Sequence, residues 1–362
     1  MNMNFDDPKI AVVGAGAVGA YVGGYFSKAG HDVTLIDGWP ANVDTINSQG
    51  LTLTGLTEPE CFTAPAKALH VAEVQSLMRD RPIDIAFVCM KSYDTAWATE
   101  MIKDYLSPSG FVVSLQNCIN EETIAQIVGW GRVVGCIAAK IAVEMTGPAT
   151  VRRGVALGGN KHTVFRVGEP HGRETPRVKL VMEMLSRIDS ARTTSNLWGE
   201  RWSKLCANAM GNGVSAATGF SSNEVAREIL TRRLQIKLAG EAIAVGQALG
   251  YSLEEINKHS GDEWVKAAAG DVTALEAVEE SRIAQTKTTA EGSRPSMGQD
   301  IQKGRRTEIE QINGFVVEKA KEVGLEAPAN AFLVEAVKLV ERGIEAPSLE
   351  RVRAAPLGAI AP

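Results

Sequence analysis

The most constraining feature of the chain is a set of three glycines at fixed spacing. Gly14-Ala15-Gly16-Ala17-Val18-Gly19 stands directly behind an apolar, strand-like stretch, Ile10 to Val13. A strand that enters a helix through such a turn begins a βαβ unit, and βαβ units build parallel sheets. The helix is expected from near Val18. Each glycine then has its own mechanical part. The first permits the tight turn, the second lets backbone approach a pyrophosphate, and the third allows close packing of helix on strand. The helix N-terminus adds free N–H groups and positive partial charge for phosphates. A glycine-rich turn that merely packs is the plainer alternative. The strand before the turn and the helix after it favour dinucleotide binding by Gly14, Ala15, Gly16, Ala17, Val18 and Gly19.

A second strand, Asp32 to Ile36, leads to Asp37, twenty-three residues beyond Gly14. A carboxylate there can accept hydrogen bonds from the adenosine ribose hydroxyls and would repel a 2′-phosphate. No arginine follows in Gly38-Trp39-Pro40-Ala41-Asn42 to offset that repulsion. NAD(H) is therefore expected over NADP(H), the alternative being that Asp37 only caps its turn.

Further strands are expected at Lys9 to Val13, Ile83 to Met90, Phe111 to Leu115 and Val133 to Ala139, with helices beginning near Asp94 and Asn120. Between Ile141 and Gly168 the Gly- and Thr/Val-rich texture suggests short antiparallel strands closing the sheet edge. A helix from Pro176 to Leu185 would lead out of the domain. After Thr194 strand signals nearly vanish and helical patterns follow: Trp198 to Ala217, Asn223 to Leu249, Leu253 to Lys258 and Arg305 to Val323. Ala290 to Gln299 reads as a loop entering another helix. The expected organisation is a doubly wound, mostly parallel α/β Rossmann domain over residues 1–194, an all-helical substrate and catalytic domain over 195–343, and a tail after Gly343 lying loosely on the surface.

At 362 residues the chain exceeds the size at which a single core keeps growing, which fits two domains. A net charge of -5 without a basic stripe argues against nucleic acid as a partner. No apolar run is long enough to cross a bilayer, and the polar start, Met1 to Pro8, carries no positively charged leader, so a cytoplasmic protein is expected. Cys61, Cys89, Cys118, Cys136 and Cys206 form no CxxC pair and have no histidine at ligand spacing, so neither disulfides nor a metal site is expected.

The chemistry is expected on the first helix of the second half. Four residues advance a helix by about 400°, so Lys204, Asn208 and Asn212 share one narrow stripe. An ammonium and two carboxamides on a face that also carries Ala and Gly make a poor core and a good polar wall. A merely solvated face is the alternative.

Further motifs lie on other segments: Met90-Lys91-Ser92-Tyr93-Asp94-Thr95, Leu115-Gln116-Asn117, Pro295-Ser296-Met297-Gly298-Gln299-Asp300 and Gly304-Arg305-Arg306-Thr307-Glu308-Ile309. Together with the Lys204 stripe, and in this order over roughly residues 9 to 342, they resemble the ketopantoate reductase family. The resemblance implies a Rossmann domain joined to a helical domain and reduction of a 2-oxo acid. It implies Lys204 as the catalytic lysine, Glu308 as a substrate-binding glutamate and Asn117 beside the reacting carbonyl. It further implies Ser296 on the substrate carboxylate, Asn208 and Asn212 at its hydroxyl end, and Lys91 bordering the cofactor. The residue types suit the reaction. Hydride arriving at a ketone carbon leaves charge on oxygen, which a positioned ammonium can stabilise and protonate.

This chain departs from the family pattern at four places. Cys118 stands where glycine usually follows Leu-Gln-Asn, Ser222 with Asn223 replaces a further asparagine, and Asp37-Gly38 replaces an NADPH-binding arginine. Met297-Gly298 replaces a bulkier pair, which suggests room for a larger substrate. Ketopantoate is the default 2-oxo acid, and another bulky D-2-hydroxy acid, aromatic or branched, is the runner-up. The sequence leaves the subunit count open, a homodimer being one assembly it allows. A non-catalytic dinucleotide sensor or an amine-requiring opine-type dehydrogenase would share the fold, but a sensor would not require Lys204, Glu308, Asn117 and Ser296.

Overall fold

The computed structural model describes residues 7–362, which divide into two compact units that adjoin in sequence at Leu197 and Trp198. The first unit carries twelve strands: β1 (Ile10–Val13), β2 (Val33–Asp37), β3 (Leu51–Thr54), β4 (Phe62–Ala64), β5 (Lys67–His70), β6 (Ile83–Val88), β7 (Leu106–Ser114), β8 (Val133–Ala138), β9 (Val143–Gly147), β10 (Thr150–Arg153), β11 (Phe165–Gly168) and β12 (Ala191–Thr193). Its helices are α1 (Ala17–Lys28), α2 (Pro40–Gln49), α3 (Thr95–Lys103), α4 (Glu121–Val128) and α5 (Pro176–Ser186).

Eight strands form one sheet in the order β12-β11-β8-β7-β6-β1-β2-β5. All neighbours pair in parallel except β11 with β8. This is the expected doubly wound sheet. Its strands are apolar on both sides: Ile10 and Val12 of β1 enter one core with Phe87 and Val113, while Ala11 and Val13 enter another with Val88 and Val112. Chain direction across the sheet reverses beside β1, which puts the turns after β1, β6 and β7 at the C-terminal edge where such folds bind ligands.

The stretch from Ile141 to Gly168 does not simply close the sheet edge. Only β11 joins the large sheet, and β9 and β10 pair instead with β3 and β4 in a separate sheet of order β4-β3-β10-β9. Helix α1 lies between the two sheets. A Cβ on Gly23 would stand 2.8 Å from Leu35 of the large sheet, and one on Gly24 would stand 2.6 Å from Leu53 of the small one. Adjacent glycines thus let both sheets close on one helix, which accounts for its apolar character on every side.

The second unit is helical: α6 (Leu197–Thr218), α7 (Ser222–Arg227), α8 (Ile229–Ala248), α9 (Gly261–Ala269), α10 (Val272–Gln285), α11 (Ser296–Gln302), α12 (Phe315–Glu322) and α13 (Pro328–Glu341). Trp202 fixes α6 on α8, donating its indole N–H to the Ala242 carbonyl at 2.8 Å and filling the space beside Gly246.

Four expectations for this unit need correction. The helix expected over Asn223 to Leu249 breaks at Glu228, whose extended backbone starts α8 and whose carboxylate accepts from Leu230 N–H. Leu253 to Lys258 is not helical, because Asn257 and Lys258 take left-handed conformations and the Ile256 carbonyl receives the Trp264 indole N–H. Arg305 to Thr307 precede the next helical segment, which opens with a π-helical turn at Glu310–Gly314. The tail after Gly343 is packed rather than loose. Val352, Leu357 and Ile360 are buried, Ser348 N–H donates to the Ala217 carbonyl, and Arg233 donates to the Ala361 carbonyl.

Candidate functional site

The glycine turn meets two steric demands and leaves its middle position open. Gly14 has φ +97°, and a Cβ there would stand 2.7 Å from Met90 Sδ. A Cβ on Gly19 would stand 2.0 Å from the Gly14 carbonyl oxygen. On Gly16, which is exposed, a Cβ would meet nothing within 4 Å. The outer glycines are therefore required by the protein itself, while the middle one keeps an approach to the backbone open. No side chain caps α1 and no acidic residue lies in its first turn, so the amides near Ala17 and Val18 remain available to an anion. This arrangement fits a dinucleotide pyrophosphate.

Ala15 links the turn to its neighbours. Its carbonyl accepts from Asn42 Nδ2 at 3.1 Å, and Asn42 Oδ1 in turn accepts from Ala149 N–H at 2.8 Å. Asn42, buried on α2, was not singled out in the sequence, and its one signal was a carboxamide in a short helix close behind Asp37. Asp37 ends β2, and its carboxylate accepts from Trp39 N–H at 2.8 Å and also faces the Ala15 N–H. Burial raises its pKa, outweighing these backbone donors. It does cap its turn, and it does so beside the glycine turn.

The segments that carry Lys91 and Asn117 are joined by a hydrogen-bond network. Ser92 Oγ donates to the Asn117 carbonyl at 3.2 Å, and Asn120 Nδ2 donates to the same oxygen at 2.7 Å. Gln116 Nε2 reaches the Met90 carbonyl and Thr95 Oγ1, each at 2.9 Å. The loops after β6 and β7 are thus fastened to each other at the C-terminal edge of the sheet. Cys118 takes φ +64°, a conformation suited to glycine, and is buried.

In the second unit, α6 is almost wholly buried. Between Glu200 and Thr218 only Lys204, Ala207, Asn208 and Gly211 keep intermediate exposure, forming one stripe with Asn212 at its buried margin. Asn208 Nδ2 is buried without a hydrogen-bond partner in the protein, a donor awaiting an acceptor.

The other two segments pack on the same helix. A Cβ on Gly213 would stand 3.0 Å from Ile309 Cδ1, so α6 lets the Glu308–Ile309 segment approach closely. Asn313 Nδ2 donates to the Ala209 carbonyl at 3.0 Å and to Asn330 Oδ1 at 2.9 Å, while Thr307 is held by Glu341 through its backbone N–H at 2.8 Å. Glu308 is buried just ahead of the π-helical turn, an irregularity common at functional positions.

Ser296 opens α11, and a Cβ on the nearby Gly298 would stand 2.6 Å from Ser215 Oγ of α6. Gly298 therefore serves helix packing and does not widen a pocket, contrary to expectation. Asn223 is structural as well, since its Nδ2 donates to the Thr289 carbonyl at 3.1 Å and secures the loop leading to Ser296. Lys204, Asn208 and Asn212 thus lie on α6 itself, and Ser296 and Glu308 on two segments packed along it. Among the described residues, no group of three or more His, Cys, Asp or Glu side chains could hold a metal ion, and no helix is long and apolar enough to cross a membrane.

Comparison with known proteins agrees with this geometry. The family model described as Ketopantoate reductase PanE/ApbA matches residues 10–165, and Ketopantoate reductase PanE/ApbA C terminal matches residues 196–341. A 2-dehydropantoate 2-reductase from Pyrococcus horikoshii is 30% identical over 338 residues, covering 92% of this chain and 97% of that protein. The solved structure of a PanE/ApbA family ketopantoate reductase from Ralstonia eutropha JMP134 superposes with a TM-score of 0.75 at 27% identity, covering 92% of this chain and 99% of the other. D-mandelate dehydrogenase, solved with NADH and anilino(oxo)acetate, shares the fold with a TM-score of 0.75 at 22% identity, over 93% of this chain and 99% of that one. The glycine turn, the polar stripe of α6 and these likenesses agree: the chain belongs to the ketopantoate reductase family, oxidoreductases that act on CH–OH groups with a nicotinamide cofactor.

Proposed function

We propose that this protein reduces a 2-oxo acid to a 2-hydroxy acid, ketopantoate to pantoate by preference, with NADH favoured over NADPH. The observation that carries this reading is the stripe on α6, where Lys204 lies one turn from the unpartnered Asn208 amide on an otherwise buried helix. Gly14 to Gly19 and the N-terminus of α1 would hold the pyrophosphate, Asp37 the adenosine ribose, and Lys91 and Asn117 the border between cofactor and substrate. When bound, the reduced dinucleotide supplies a hydride to the carbonyl carbon.

The remaining work falls to side chains. Lys204 donates a hydrogen bond to the carbonyl oxygen and passes it a proton as negative charge develops. Glu308 orients the Lys204 ammonium and the product hydroxyl. Asn117 donates from its amide without adding charge, Ser296 binds the substrate carboxylate, and Asn208 and Asn212 take the hydroxyl-bearing end. NADH is favoured because Asp37 accepts from ribose hydroxyls, whereas a 2′-phosphate would meet a carboxylate with no arginine in the following residues to offset it. The protein is expected to act in the cytoplasm as a homodimer, which light scattering on purified protein checks.

A panel of 2-oxo and 2-hydroxy acids assayed by nicotinamide absorbance, with NAD(H) and NADP(H), tests the reading. Ketopantoate reduction with NADH is the expected result. Dinucleotide binding with no turnover of any acid would refute it.

A further inference from the structure

The geometry points to Gln235 as an additional substrate-recognising residue, held in orientation by the buried Arg282 and donating to an oxygen at the end of the substrate remote from Lys204. This inference rests on the reading of α6 as the substrate wall.

Arg282 on α10 is only 8% exposed. One guanidinium nitrogen donates to Gln235 Oε1 at 2.8 Å and another to Gln285 Oε1, while Nε has no acceptor. Among the described residues it forms no ion pair with a carboxylate, and burial pulls its pKa down to about 10. A buried guanidinium lacking a carboxylate is costly, so it is an unusual choice for a purely structural contact.

Its effect on Gln235 is definite. A guanidinium has donors only, so the atom of Gln235 that it meets must be the oxygen, and the amide NH2 is turned the other way. That nitrogen lies 3.8 Å from where a Cβ on Gly211 would stand. Gly211 belongs to the partly exposed stripe, three residues beyond Asn208 and seven beyond Lys204. Seven residues are about 10 Å along a helix. Two amide donors, Asn208 Nδ2 and Gln235 Nε2, therefore address successive turns of the same strip, Gln235 at the end far from Lys204. A Cβ on Gly211 would meet no other side chain within 4 Å. The substrate class this favours is a 2-oxo acid with a hydroxyl or carboxylate on its side chain, and the positive charge behind Gln235 polarises the amide toward such an oxygen.

Steady-state kinetics with ketopantoate and with 2-oxoisovalerate, which lacks the hydroxymethyl group, tests this assignment. Gln235→Glu keeps the shape and can pair with Arg282, but it removes the donor. Gln235→Met removes it without adding charge. Both variants are expected to raise the KM for ketopantoate by about tenfold or more while kcat changes by less than about threefold, and to alter 2-oxoisovalerate kinetics by less than about twofold. Arg282→Gln should reproduce the KM effect and Arg282→Lys should recover part of it, a rescue that a merely structural role would not give. Unchanged dinucleotide affinity verifies folding. Equal losses on both acids, or no change on either, would overturn the role of Gln235. An unmodified protein that reduces neither acid would instead overturn the functional reading on which it rests.

Discussion

The glycine turn after β1 and the polar stripe of α6 are built by opposite means. The turn is made of backbone: its residues carry no functional groups, its shape depends on atoms that are missing at Gly14 and Gly19, and its openness on the one missing at Gly16. The stripe is made of side chains on a regular helix, and Lys204, Asn208 and Asn212 could be exchanged without disturbing a single backbone hydrogen bond of α6. A binding seat of the first kind is inseparable from the fold, whereas a reactive surface of the second kind can vary while the fold persists. Such a division lets function vary on a fixed scaffold. It also predicts that damage to the packing glycines of the turn shows in stability, and damage to the stripe in turnover.

The largest stability effect is expected at Asp189, the partner of the arginine that ends β10. Arg153 and Asp189 form a fully buried ion pair at 2.5 Å, with Gly158 N–H also donating to the carboxylate at 2.9 Å. Asp189→Asn should cost about 3–5 kcal/mol in denaturant unfolding. Burial alone would raise the Asp189 pKa, but the Gly158 and Ser190 N–H groups and Arg153 outweigh it and hold the carboxyl below its ordinary value. The stabilisation is therefore complete above the unfolded-state value near about 3.9 and is lost as pH falls through the lower folded-state value. The variant should show a flatter acid limb, and an equally steep one would remove Asp189 from the explanation.

Next in size is the contrast within the turn itself. Gly19→Ala must displace the Gly14 carbonyl and should cost about 3 kcal/mol. Gly16→Ala should leave the unfolding midpoint within about 0.5 kcal/mol of the original yet weaken dinucleotide binding about tenfold or more. Equal stability losses in the two would erase the distinction between packing and binding glycines.

How much could be read from the sequence follows the same division. The turn was legible because steric need leaves a fixed glycine spacing, and β1, β2, β6 and the starts of α1, α3 and α4 follow from local apolar runs and the helix-like segments between them. The stripe was legible because helical period alone aligns Lys204, Asn208 and Asn212. What escaped depends on distant partners. Strand β3 pairs with β10 nearly a hundred residues away, and nothing local in Leu51–Thr54 announces a second sheet. Asn42 and Gln235 matter through the contacts they make with Ala15, Ala149 and Arg282, which no spacing rule reveals. Gly298 misled for the same reason, since its small size answers Ser215 of another helix.

Cofactor preference should be a smaller effect, about 1.4 kcal/mol or tenfold in kcat/KM for NADH over NADPH. Asp37→Ala combined with Gly38→Arg should move the ratio toward NADPH. If the unmodified protein already prefers NADPH, Asp37 serves only its turn.

The smallest effect is expected in the loop after β7. Cys118→Gly relieves left-handed strain of about 1–2 kcal/mol but deletes a buried thiol, so the net change should stay within about 1 kcal/mol. Cys118→Val, branched at Cβ, should destabilise by about 1–2 kcal/mol. Thermal denaturation that ranks valine above glycine would contradict the backbone conformation at this position.

The separation between a seat that binds and a stripe that reacts is tested most directly by Lys204→Ala, with turnover and dinucleotide affinity measured on the same preparation. The expected result is a kcat for 2-oxo acid reduction lowered about a hundredfold or more, with the dissociation constant for NADH changed by less than about twofold. Near-normal turnover, or a loss of NADH affinity as large as the loss of rate, would contradict it.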